Sequence, residues 1–260
     1  MKVLAINVGN SRYQAGLWED GEVVRAGAAE RMSTGFLREV AGEEAGGLDG
    51  VALCSVAPRR EGAAVAAAGK AFPGARVERV GWKSTLGIAV DLTHPEQTGA
   101  DRYADAVAGA ERFGTPCIVC DFGTATTFNL VLPKRGFCGG AIAPGYGMWF
   151  RALGRGAEQL PTLAPGGAAN LPSGRCTEEA IRLGARWGFR GMVTEILWQL
   201  AKNCGKKDPT IVATGGWAEK VAADAGFEMA VVPELTLEGI GWMFARTVAA
   251  SGRKRGKGRE

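Results

Sequence analysis

One short pattern occurs twice in this chain, and it constrains the fold more than any other feature. Near the N-terminus Val3-Leu4-Ala5-Ile6 runs into Asn7-Val8-Gly9-Asn10-Ser11, continues through Arg12 and Tyr13-Gln14-Ala15-Gly16-Leu17-Trp18, and turns at Glu19-Asp20-Gly21. Later Cys117-Ile118-Val119-Cys120 runs into Asp121-Phe122-Gly123-Thr124-Ala125-Thr126-Thr127, continues through Phe128-Asn129-Leu130-Val131-Leu132, and turns at Lys134-Arg135-Gly136. Apolar runs bounded by Gly and Asn/Asp predict strand, tight turn, strand, turn, strand in each copy. Each tight turn offers an acid or amide, a glycine that lets a ligand approach the backbone, and clustered hydroxyls or amides. Backbone N–H donors with short polar side chains are what a phosphate chain and its metal require. Two such turns suggest a cleft that grips a nucleotide from both sides, hence phosphoryl transfer.

Composition narrows the alternatives. No stretch reaches the roughly 18 apolar residues of a membrane span, and the first strand turns polar at Asn7, too early for a signal-peptide core. A cytoplasmic protein without a membrane partner is expected. Net charge is +4, yet Arg253, Lys254, Arg255, Lys257 and Arg259 against Glu260 account for all of it. The body is therefore near neutral and carries no signal for nucleic acid; residues 252–260 read as a disordered basic tail. Cys117 and Cys120 form a Cys-x-x-Cys, but residues three apart on a strand face opposite ways. Buried thiols are expected there rather than zinc or redox chemistry. A single histidine, His94, removes histidine-rich metal sites and most Ser-His-Asp arrangements.

Along the first half, strands are expected near 2–7, 13–18, 22–27, 50–55 and 76–79, helices near 33–45 and 59–71, and a loop over 86–99. A helix opens at Asp101, with Tyr103, Ala104, Val107, Ala108 and Ala110 at helical spacing. The second half restarts with strands near 116–121, 125–132 and 137–143, followed by alternating helices and strands. Pro161 to Gly174 reads as a loop or lid. The expected class is α/β, two duplicated domains with a central cleft, residues 1–114 and 115–251. Gly62 to Lys70 lacks P-loop spacing, and no Gly-x-Gly-x-x-Gly follows a strand into a helix.

Three further segments bear chemistry. Gly99-Ala100-Asp101-Arg102 reads either as a helix N-cap with an exposed Arg, or as a carboxylate that accepts a hydroxyl proton beside a guanidinium that grips an anion. Gly139 to Gly145 and Thr214-Gly215-Gly216 read as close-packed junctions or as backbone walls for a ligand. Ala180, Trp187, Phe189, Met192, Val193, Ile196 and Leu197 fit either an interface helix or ordinary core.

Taken in order, Asn-Val-Gly-Asn-Ser, Ser55-Val56-Ala57-Pro58, Gly-Ala-Asp-Arg, Asp-Phe-Gly-Thr-Ala-Thr-Thr, Gly-Gly-x-Ile-x-Pro-Gly, Cys176 to Ile181, Thr-Gly-Gly and Leu235 to Gly239 resemble the type III pantothenate kinases across residues 2–246. The resemblance implies an actin/hexokinase/Hsp70-like (ribonuclease H-like) fold. It implies transfer of the ATP γ-phosphate to the primary hydroxyl of pantothenate, Mg²⁺ and a monovalent cation (K⁺ or NH₄⁺), and a homodimer. Carried over, Asn7, Val8, Gly9, Asn10, Ser11, Arg12, Tyr13 and Gln14 match the first ATP-phosphate loop, and Gly123 with Thr124 the second. Asp101 matches the catalytic acid/base. Gly99, Ala100, Asp101 and Arg102 match the pantothenate segment, and Thr177 a further substrate contact. Asp121 matches the monovalent-cation ligand, and Thr214, Gly215 and Gly216 the segment near the adenosine. The chain departs from the pattern at Asn7 and Asn129, where Asp is usual, and at Leu92, where a Tyr is usual. A weaker kinase, another small hydroxy acid as acceptor, or a non-catalytic nucleotide-binding relative are the alternatives these departures imply.

Overall fold

A computed structural model describes residues 1–167 and 171–256. Its elements in order are β1 (Lys2–Val8), β2 (Tyr13–Glu19), β3 (Glu22–Ala29), α1 (Thr34–Ala41), β4 (Gly50–Ser55), α2 (Pro58–Ala71), β5 (Val77–Arg79) and α3 (Ala100–Phe113). There follow β6 (Cys117–Phe122), β7 (Ala125–Leu132), β8 (Gly136–Pro144), α4 (Tyr146–Gly156), α5 (Thr177–Ala201), β9 (Thr210–Thr214), α6 (Ala218–Ala225), β10 (Ala230–Val231) and α7 (Leu235–Gly256). Helix starts follow local chemistry: the Ser33 side chain accepts from Phe36 N–H at 3.1 Å to cap α1, and Pro58 opens α2 where no N–H is required.

The strands form two sheets, β3-β2-β1-β4-β5 and β8-β7-β6-β9-β10. Both have the same order (third, second, first, fourth, fifth strand of its half), so the duplication visible in the sequence is one of topology. In the first sheet β1 runs antiparallel to β2 and parallel to β4. Strand alternation sends Leu4, Ile6 and Val8 toward Leu37, Val40, Ala64 and Ala68 of α1 and α2. Val3, Ala5 and Asn7 point to the other face, where α3 and α7 pack.

The compact units do not follow the linear order. One comprises Met1–Gly114, Val131–Cys138 and Glu234–Glu260, the other Thr115–Leu130 and Gly139–Pro233. Helix α7 thus belongs with the N-terminal sheet, where Trp242 meets Trp18 edge-on at 5.4 Å. The helix also continues through Gly256, past residue 252 where the basic tail was expected to begin; residues 257–260 of that tail, and 168–170 of the 161–174 loop, lie outside the described residues. Cys117 and Cys120 are buried in β6 outside any disulfide, and burial pushes the Cys117 thiol up to about 12. Among the described residues, no helix is long and apolar enough to cross a membrane.

Helices α3 and α7 approach closely because residue 239 has no side chain: a Cβ there would overlap the Ala104 carbonyl oxygen. Gly239→Ala is expected to cost more than about 2 kcal/mol, since two backbones must separate. A urea midpoint unchanged from wild type would contradict this packing.

Candidate active site

In the first unit, the turn between β1 and β2 closes through Gly9 N–H donating to Arg12 O at 3.1 Å. Arg60, on α2, clasps it: Nη1 donates to Asn10 O at 2.7 Å, Nη2 to Glu30 O at 2.9 Å, and the guanidinium lies 4.2 Å from the Tyr13 ring centroid. No local pattern in the sequence marked Arg60, because its partners lie 30 and 50 residues away. Asn10, Ser11 and Arg12 are exposed at the turn, while Asn7 is buried beneath it.

Asn7 sits in a three-strand row, opposite Gln14 on β2 and Cys54 on β4. Its Nδ2 donates to Gln14 Oε1 at 3.2 Å, and its Oδ1 accepts from Cys54 Sγ at 3.7 Å. The amide is therefore oriented by neutral neighbours. The row of Gln14, Asn7 and Cys54 carries no carboxylate.

Gly99 precedes α3, and Asp101 and Arg102 occupy its first turn. The Arg102 N–H donates to Asp101 Oδ1 at 2.8 Å and to Gly99 O at 3.1 Å. Burial raises the Asp101 carboxyl above its ordinary value, and the Arg102 amide and guanidinium offset this only in part. Burial likewise lowers Arg102, against the opposing pull of Asp101 and Asp105. The Arg102 guanidinium lies 5.6 Å from the Phe137 ring centroid, and Tyr103 meets the same ring edge-on. One helical turn on, buried Asp105 accepts from Thr236 Oγ1 at 2.7 Å, fixing α3 to the start of α7. Leu92, half-buried, stands in the loop before this helix.

In the second unit, Asp121 ends the edge of β6 that leads into Gly123-Thr124, with Thr124 exposed. Two glycines press backbone against this turn. A Cβ on Gly145 would overlap the carbonyl oxygens of Gly123 and Thr124, and one on Gly215 would overlap Asp121 Oδ1. Gly215 also has φ +89°, a conformation that favours glycine. Thr214 is buried and donates through Oγ1 to Pro233 O at 3.1 Å, so Gly215 and Gly216 form the junction into α6. Thr177 opens α5 and is exposed. Asn129 is buried in β7 and donates to Thr127 Oγ1 at 3.4 Å. Phe189, Val193 and Leu197 of α5 are core, whereas Trp187 is exposed.

The first unit thus gathers the Asn7–Gln14 turn, Cys54 and, at the mouth of α3, a desolvated acid–guanidinium pair. The second gathers Asp121, Gly123, Thr124 and Thr214 to Gly216. Two five-stranded sheets of the same strand order, each opening on a strand-turn-strand unit, make up the α/β fold of the actin/hexokinase-like class. Among solved structures, the chain superposes on the activator of the 2-hydroxyisocaproyl-CoA dehydratase from Clostridium difficile with TM-score 0.55. It does so at 10% identity, covering 98% of this chain and 97% of that one. The sequence profile of the type III pantothenate kinases matches residues 3–199. The chain is 38% identical over 209 residues to the type III pantothenate kinase of Akkermansia muciniphila, covering 78% of this chain and 84% of the relative. It is 33% identical over 266 residues to that of Streptomyces avermitilis, covering 95% and 99%. This chain belongs to the type III pantothenate kinase family.

Because folding raises the Asp101 pKa, the stability that comes from its protonation is complete below the unfolded value and is lost as pH rises through the folded one. Asp101→Asn keeps an acceptor for the Arg102 N–H and removes the desolvated charge. It is expected to raise the unfolding free energy at pH 7, with the gain vanishing below about pH 4. Equal stability of the two proteins at pH 7 would sink the assignment of a strained carboxylate.

Proposed function

We propose that this chain transfers the γ-phosphoryl group of ATP to the primary hydroxyl of pantothenate, opening coenzyme A synthesis. The observation that carries this reading is the desolvated Asp101 carboxylate beside Arg102, in a member of this kinase family. Phosphoryl transfer needs positioning and charge neutralisation more than covalent chemistry. Asp101 accepts the hydroxyl proton as the new O–P bond forms and the bond from the γ-phosphorus to the bridging oxygen breaks, releasing ADP; its raised pKa makes it a better acceptor than an ordinary aspartate. Arg102 offers a planar fork to the pantothenate carboxylate, with Gly99 and Ala100 forming the backbone beside it and Thr177 adding a hydroxyl. Backbone N–H groups and short polar side chains of Asn7–Gln14 and Gly123–Thr124 hold the phosphates.

The residues fit the family's cations unequally. Asp121, a hard oxygen donor seated against the Gly215 and Gly123 backbone, suits K⁺ or NH₄⁺. Among the described residues no cluster of three His, Cys, Asp or Glu could hold a metal ion, so Mg²⁺ would arrive on the triphosphate, with the Asn7 amide oxygen as a neutral ligand. When bound, these cations neutralise the negative charge of the phosphate oxygens.

A coupled assay with ATP, Mg²⁺, K⁺ and pantothenate tests the reading. Asp101→Ala is expected to lower kcat by about 10²–10⁴-fold while nucleotide binding survives. Asn7→Asp is expected to lower the ATP requirement. Absence of turnover at millimolar ATP in both wild type and Asn7→Asp would leave a non-catalytic nucleotide-binding protein. Turnover with a different hydroxy acid alone would reassign the acceptor.

A homodimer follows from the same reading. Ile142, Met148, Leu153 and Trp187 are exposed, and α4 and α5 enclose an apolar hollow of about 620 Å³ beside Met148 and Leu153. Light scattering is expected to give about twice the 27.1 kDa chain mass, and Met148→Glu with Leu153→Glu to give the single-chain value. A wild-type monomer at micromolar concentration contradicts the proposal.

A further inference from the structure

Arg60 has no part in the chemistry above, yet its contacts converge on the first phosphate turn. Pro58 starts α2, so Arg60 lies in the first turn of that helix, where it is half-buried. Its Nη1 donates to Asn10 O at 2.7 Å, within the turn, and its Nη2 to Glu30 O at 2.9 Å, one residue past β3. The guanidinium lies 4.2 Å from the ring centroid of Tyr13, the residue that opens β2. The Tyr13 hydroxyl donates back to Arg60 O at 3.2 Å. Tyr13 is itself buried and pairs with Ala29 of β3, so its ring is a fixed platform under the guanidinium. One planar fork thus ties the turn to β3 and α2 together, which a single ammonium group could not do.

The consequence for the turn follows from the peptide plane. In a trans peptide the carbonyl and the following N–H point in opposite directions. With Asn10 O held toward Arg60, the Ser11 N–H is aimed away from α2. The sheet face opposite α2 is the one that carries Asn7 and packs α3, whose first turn holds Asp101. A turn that offers N–H groups attracts phosphate, whereas one that offers a carbonyl oxygen repels it. We propose that Arg60 is a positioning residue for the phosphate donor, a role that rests on the kinase reading for the ligand's being a nucleoside triphosphate. It holds the Asn10–Ser11 peptide in the orientation that anion binding needs, so the turn is ordered before the ligand arrives. Both acceptors are neutral carbonyl oxygens, so the fork fixes direction rather than balancing a charge.

Calorimetric titration of the full chain with ATP at fixed Mg²⁺ and K⁺, together with initial rates on pantothenate, tests this role. Arg60→Met keeps an unbranched stem over Tyr13 and removes the fork. It is expected to weaken ATP binding about tenfold, the worth of one charge-assisted hydrogen bond, and to raise the KM for ATP alike. Both kcat and the KM for pantothenate are expected to stay within about twofold of wild type. Arg60→Lys keeps the charge but reaches only one of the two carbonyls, and about a threefold loss is expected. The loss in Arg60→Met is expected to be the same at low and high ionic strength, because no ion pair is removed. Amide exchange at residues 9–12 of the ATP-free protein is expected to quicken in both variants. Wild-type ATP affinity in Arg60→Met overturns the role, even where its urea midpoint falls. Wild-type affinity in Arg60→Lys, or a loss in Arg60→Met that shrinks with salt, assigns the effect to charge and also overturns it. Pantothenate turnover with ATP binding indifferent to Arg60 defeats this role alone. ATP binding that answers to Arg60 without pantothenate turnover defeats the kinase reading alone, and a wild type that binds no ATP defeats both.

Discussion

The contact between α3 and α7 is the constraint on which the first unit depends. Gly239 lets the two helix backbones touch, Thr236 hydrogen-bonds buried Asp105, and Glu238, held well out of water, pairs with Arg112 at 2.6 Å. Burial raises the Glu238 carboxyl, and Arg112 opposes that shift without cancelling it. Breaking such a pair from one side would strand a buried charge, which is far costlier than never having had the pair. These contacts hold α3 against α7 at Ala104, Asp105 and Arg112. Asp101 and Arg102 are consequently presented at a fixed position relative to the row formed by Gln14, Asn7 and Cys54.

The second unit solves a similar problem with backbone rather than side chains. Gly145 and Gly215 allow two chain segments to press directly on the turn that begins at Asp121. Substituting either would force neighbouring atoms apart, so the turn is held without large side chains crowding it. Space close to the backbone and rigidity of the backbone are usually in competition; glycine junctions of this kind supply both.

Local order was largely legible. Apolar runs punctuated by Gly, Asn and Asp gave both strand meanders, and Gly99-Ala100-Asp101 gave the start of α3 to within a residue. That Cys117 and Cys120 face opposite ways followed from strand alternation, and both are buried as expected. What escaped were contacts between residues distant in sequence, since these leave no period to read. Arg60 over the Asn10 turn, Cys54 beside Asn7, and the meeting of Tyr146, Phe189 and Trp217 are all of this kind. The linear split at residue 114 missed the return of α7 for the same reason: an amphipathic helix does not announce which sheet it will cover. Phe189, Val193 and Leu197, compatible with either an interface or a core, are buried within the chain, and the Phe189 ring meets Phe122 and Tyr146.

The return of α7 has a consequence for how the protein comes into being. Strands β1, β2 and β4 are made well before the helix that carries Trp242 onto Trp18 and Phe244 onto Gly50. At ordinary elongation rates the nascent sheet waits on the order of ten seconds with one apolar face uncovered. That sheet is thus completed only after the strands of the other unit have been made, and an apolar face left open for so long favours association with other chains.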